Sequence, residues 1–230
     1  MRTLREALER DGYAIVADVI AADRIGLILR AIERAIDPAK AGRRDLAATI
    51  PEIEALAAEP ALRQLANVVL GREAFVVRTL FFDKNADTNW KVAWHQDQTI
   101  AVREQRAVPG FGPWSVKDGR PHVQPPDEIL EQMVTLRLHL DDCPETNGPL
   151  RVLPGSHRTG KLPPAAIADR QKSTPEVVCV LPAGGVLLMK PLLLHASSAA
   201  LEPRHRRVVH LEFAAEKLPG GLEWSASDAT

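Results

Sequence analysis

At 230 residues, with 45% hydrophobic and 26% charged positions, the chain can bury a sizeable core and has the balance of an ordinary globular protein. A formal net charge of -1 argues against a general nucleic-acid or polyphosphate surface. Two cysteines, Cys143 and Cys179, make no C-x-x-C pair and are too few for a disulfide framework, so both are expected to be reduced and buried.

The charged opening, residues 1–10, reads as a short amphipathic helix with no apolar signal-peptide core after it, and the apolar runs are too short to span a bilayer. A cytoplasmic protein without a membrane partner is the expectation. From Ala22 to Ile36, Ile25, Leu27, Ile28, Ala31, Ile32 and Ile36 recur at helical spacing. A second helical stretch covers about Ile53 to Leu70, interrupted at Pro60 and stopped by Gly71. Residues 1–72 therefore read as mostly helical support.

After it the pattern changes to β-branched and aromatic residues, from about Ala74 to Asp83. Further strands are expected at Val92–Asp97, Met133–Asp141, Leu150–Leu153, Val177–Leu181, Val186–Met189, Leu192–His195 and Val208–Phe213, separated by Pro- and Gly-rich turns. Short strands after a helical third suggest an antiparallel barrel or sandwich buttressed by helices, with residues 1–230 as one domain and 73–215 as its core. Residues 98–126 read as a long irregular loop, and its start beside Asp97 suggests a lid.

The run Trp94-His95-Gln96-Asp97 carries the chemistry. On extended backbone a period of two puts His95 and Asp97 on one face, and His195 supplies a distant third ligand. Two imidazoles and one carboxylate suit a mononuclear non-haem iron with open positions, although other divalent ions would also bind. His122, His139, His157, His205 and His210 read as structural.

The sequence resembles the phytanoyl-CoA dioxygenase family of iron(II)- and 2-oxoglutarate-dependent oxygenases. The resemblance lies in Asp11–Val16, Trp94–Asp97, Leu140–Asp142 with Glu145–Leu150, Leu153–His157, and the pair His195 with Arg206. It implies a mainly β protein with N-terminal helices: a double-stranded β-helix, or jelly-roll, cupin-like barrel. It also implies Fe(II), 2-oxoglutarate and O2, with His95, Asp97 and His195 as metal ligands and catalytic centre. Arg206, eleven positions after His195, would take the far carboxylate of 2-oxoglutarate, because guanidinium holds a carboxylate through two parallel bonds. Ser197, Thr135 and Trp114 are further co-substrate candidates. On the strand beginning at Met133, Leu136, Leu138 and Leu140 would face the helices, and Arg206 would look into the barrel opposite Val209, Leu211 and Phe213.

The implied reaction hydroxylates a small organic or secondary metabolite, releasing succinate and CO2. A carboxylate at Asp97 argues against halogenation, since related halogenases carry a small residue there. Arg103, Arg106, Lys117 and Arg120 could serve an acyl-CoA, but Glu104 and Asp118 interrupt them. A non-catalytic sensor barrel and a cupin-like enzyme without a keto acid are the alternatives, and either a monomer or a homodimer is compatible with the sequence.

Overall fold

A computed structural model describes residues 3–36, 42–44 and 46–226. Thr3 opens α1 (Leu4–Asp11) with a capping box: its hydroxyl accepts from the Glu6 amide while the Glu6 carboxylate accepts from the Thr3 amide. Gly12 ends the helix in the left-handed region at φ 81°, where a Cβ would also collide with His157. Strand β1 (Tyr13–Val16), α2 (Ala22–Ala35), β2 (Gly42–Arg44), α3 (Pro51–Ala57) and α4 (Pro60–Leu70) follow. Pro60 starts a new helix, because proline suits a first turn that needs no N–H donor. No helix among the described residues is long and apolar enough to cross a membrane.

Next come β3 (Phe75–Lys84), β4 (Val92–His95), β5 (Ile100–Ala101), β6 (Trp114–Lys117), β7 (Arg120–Val123), α5 (Asp127–Glu131), β8 (Met133–His139) and β9 (Leu150–Val152). The chain closes with α6 (Pro164–Ser173), β10 (Val177–Cys179), β11 (Val186–Met189), β12 (His195–Ser197) and β13 (Arg206–Ala214). A six-stranded sheet has the order β1-β11-β8-β13-β3-β2 and a four-stranded sheet the order β10-β9-β12-β4, all neighbours antiparallel. These are the two sheets of a jelly roll, not a closed barrel.

The larger sheet is buried on both faces. From β11, Val186 and Leu188 join the helix-side core while Leu187 and Met189 pack inward against Leu150, Val152 and Cys179. Leu136, Leu138 and Leu140 meet the helices, as do Val209, Leu211 and Phe213 of β13. Trimming Leu136 to alanine is expected to destabilise the fold by about 2–5 kcal/mol, read by urea unfolding, because the cavity left behind cannot collapse between sheet and helices.

Three expected segments differ. Residues 98–126 are not one irregular loop but contain the sheet β5-β7-β6, whose strands are too short and too rich in Pro and Gly neighbours to show periodicity. Leu192–Leu194 is a buried turn, with the Leu193 amide bonded to the Lys190 carbonyl, so the strand begins only at His195. The strand from Val92 ends at His95, leaving Asp97 outside the ladder.

Candidate active site

His95 ends β4 and His195 begins β12. They are opposed partners in that antiparallel pair, which sets their ring centroids 4.1 Å apart. Asp97 reaches them by another route. Its amide donates to the Pro191 carbonyl (2.9 Å), and the Gln96 side chain donates to the carbonyls of Leu192 (2.7 Å) and Gly160 (2.9 Å). The turn at residues 191–194 thus holds the carboxylate 3.9 Å from His95 Nε2 and 3.7 Å from His195 Nε2.

Each ring sets its Nδ1 against the carbonyl two residues earlier: His95 to Ala93 at 2.8 Å, His195 to Leu193 at 2.9 Å. A carbonyl only accepts, so Nδ1 carries the proton and the Nε2 lone pair is left for an ion. Burial, opposed by Asp97, holds His195 below the ordinary imidazole range and keeps it neutral. Burial acts to raise the Asp97 carboxyl, but the positive field at the site, to which the fixed charge of Arg137 contributes, outweighs it and favours the carboxylate. One donor atom from each residue lies within 4.8 Å of the others. The side chains of His95 and Asp97 are 40% and 35% exposed against 5% for His195, so the set is open on one side. Two neutral imidazoles and a carboxylate with an open face fit a mononuclear iron(II).

The set opens into a cavity of about 470 Å³. Arg206 lines it from the first position of β13, 3% exposed, with one amino group donating to the Gly148 carbonyl and its Nε unpartnered. Ser197 lines the same cavity. Lys84 is a residue that strand patterning missed. Fully buried and the rung partner of Arg206, it donates to Ser197 Oγ (3.1 Å) and to the Ser198 carbonyl (2.6 Å). Burial and then the Arg206 charge push its ammonium down to about 8. A lysine closing the apolar run Phe75–Lys84 was the available signal.

Thr135 is buried on β8 but does not line this cavity, and Trp114 packs in an apolar cluster with Val77, Ile100 and Val123. The aromatic rings at the cavity are Phe81, Phe82 and Trp90, the last 5.5 Å from the Lys84 ammonium. His157 is structural, bonded to the Glu9 carbonyl (3.2 Å), while the Gly155 amide donates to Asp11 (2.9 Å).

The sequence profile of the family described as phytanoyl-CoA dioxygenase matches residues 8–208. The chain belongs to the phytanoyl-CoA dioxygenase family. A family relative, ectoine dioxygenase of Sphingopyxis alaskensis, is 29% identical over 169 residues, covering 66% of this chain and 48% of that protein. L-proline trans-4-hydroxylase of Streptomyces griseoviridis is 31% identical over 114 residues, covering 50% and 35%. The chain spans about half the length of the curated ectoine dioxygenases it matches. Among solved structures, S. alaskensis EctD with 2-oxoglutarate and 5-hydroxyectoine superposes with a TM-score of 0.72 at 21% identity, covering 92% of this chain and 74% of that one. The epimerase SnoN from nogalamycin biosynthesis, in complex with Fe3+, alpha-ketoglutarate and nogalamycin RO, gives 0.70 at 19%, covering 95% and 90%. Within the family's motifs, Asn147 accepts from the Arg204 amide (3.2 Å) and donates to the His205 carbonyl (3.4 Å), so the turn before β9 braces the start of β13 and Arg206.

Proposed function

We propose that the chain is an iron(II)- and 2-oxoglutarate-dependent oxygenase that hydroxylates a small organic molecule, with release of succinate and CO2. One observation carries this: His95, Asp97 and His195 open into the same cavity as Arg206 and Ser197, with Lys84 bonded to Ser197. His95, Asp97 and His195 would hold the metal; iron with 2-oxoglutarate and dioxygen supplies the oxidising power when bound. Arg206 takes the far carboxylate of 2-oxoglutarate, and the Lys84 charge acts on it from behind Ser197. Ser197 accepts from Lys84, so its own hydroxyl proton is free to donate to that carboxylate.

A small substrate suits the cavity volume. Of the loop cations that an acyl-CoA would need, Lys117 lines the cavity and the other three are engaged elsewhere, Arg103 with Glu223 (2.7 Å), Arg106 with Glu104 (2.5 Å) and Arg120 with Ser225 (3.0 Å). The test is anaerobic addition of 2-oxoglutarate to the full chain loaded with iron(II), which should give a visible metal-to-ligand charge-transfer band, followed by succinate release in air. Absence of the band overturns the reading. A band with no succinate across a broad substrate panel would make the protein a 2-oxoglutarate-binding sensor.

A further inference from the structure

The cavity wall carries more positive charge than the metal and co-substrate use. Arg78 and Arg44 line it but are matched, Arg78 with Glu212 at 3.1 Å and Arg44 with Asp118 at 2.8 Å. Arg137 on β8 is in no such pair: the acidic group that acts on it, Asp97, is set against the two ligand histidines. It is 7% exposed, its Nε has no hydrogen-bond partner, and its guanidinium lies 5.5 Å from the Phe82 ring centre. Its Nη1 lies 2.9 Å from Nδ1 of His210. Arginine only donates, so His210 accepts there and its proton sits on Nε2, facing Glu212 at 3.5 Å. A neutral imidazole therefore fixes Arg137 in place without cancelling its charge. Lys117, on β6, lines the same cavity and donates to the Thr99 hydroxyl (2.9 Å), again a neutral partner. A buried guanidinium without an anion in contact is unfavourable, and buried polar groups find partners.

We infer that Arg137 and Lys117 form a subsite for a carboxylate on the substrate, which makes the substrate class a small carboxylic acid. The inference rests on the oxygenase reading in one respect. Asp97 is committed to the ion, and the two carboxylates of 2-oxoglutarate are taken by the metal and by Arg206 with Lys84. The remaining cations then need an anion from a third molecule.

The test uses the full chain with iron(II) and 2-oxoglutarate under anaerobic conditions. Matched acid and carboxamide pairs are titrated by calorimetry: cyclohexanecarboxylate, 3-phenylpropionate and L-pipecolate, each against its amide. The acid should bind at least about tenfold more tightly in one or more pairs, the scale of a charge-assisted bond. Arg137→Gln should reduce that preference below about twofold while leaving 2-oxoglutarate affinity within about twofold. Lys117→Gln, outside the main sheets, gives the same comparison if Arg137→Gln does not fold. No acid preference in any pair overturns the inference, and so does a preference that survives both substitutions. A tenfold loss of 2-oxoglutarate affinity in Arg137→Gln also overturns it, by moving Arg137 to the co-substrate. Acid preference without a charge-transfer band would sink the oxygenase reading and leave the subsite standing; a band without acid preference would sink the subsite alone.

Discussion

Replacing His195 with alanine is expected to abolish iron-dependent succinate formation, by roughly a thousandfold or more, because a two-residue remnant no longer holds the ion in an open three-ligand arrangement. The geometry makes the loss specific. His195 faces His95 across one antiparallel rung and has its Nδ1 proton tied to Leu193, and among the described residues the metal set holds no histidine besides these two. Iron content after reconstitution should fall in parallel. The fold should persist, since the substitution removes a buried polar ring from a strand end and leaves the main apolar core untouched. His122→Ala is the matched control: that ring is 1% exposed but sits on β7 outside the metal set. Equal losses in the two variants would show that activity follows general stability and not the triad.

The second large effect concerns the co-substrate carboxylate. Arg206→Gln should raise the KM for 2-oxoglutarate by about a hundredfold and Lys84→Met by about tenfold, in line with the loss of charge-assisted bonds in a dry site. Lys84 adds a pH signature. Its ammonium, lowered to about 8 by burial and by Arg206, loses its proton as pH rises through that region, so 2-oxoglutarate affinity should weaken from pH 8 upward. Lys84→Met should lack this dependence. Stability has the opposite sign. A lysine whose folded pKa lies below its unfolded value destabilises the fold fully below about pH 8, and the penalty fades as pH rises toward the unfolded pKa. Lys84→Met should therefore melt no lower than wild type near pH 7, with any gain shrinking toward pH 10. A KM unchanged in both variants, measured by succinate release at saturating iron, would remove these residues from the co-substrate site.

Much of this was legible because strands and helices expose their periods. Alternation along Met133–His139 separated Leu136 and Leu138 from Arg137 and His139, and the phase of Val209, Leu211 and Phe213 placed Arg206 on the inner face. Lys84 and Arg137 were harder to read. A charged residue on a strand ordinarily marks a wet face, and only the second sheet shuts that face away, with Arg137 lining the cavity and Lys84 buried behind Ser197. The pairing of β5, β6 and β7 was hidden for a different reason: two- and four-residue strands are held by partners, not by their own pattern. The turn at 192–194 shows the same limit, since three consecutive leucines report burial but not backbone shape.

Residue types and spacing by themselves indicated helices followed by an antiparallel β core and the candidate ligands His95, Asp97 and His195, while the jelly-roll class and the keto-acid role of Arg206 followed from resemblance to the family's short motifs; all of these rest on local periodicity or on a motif contained in a few residues. Tertiary structure decided the rest. It set His95 opposite His195 through a ladder between segments a hundred positions apart, and it delivered Asp97 by a bond to Pro191. It also enclosed Lys84 and Arg137 within the walls of one cavity or beneath them. Those outcomes depend on long-range pairing and on which polar face is shut away from water, and no local pattern encodes either.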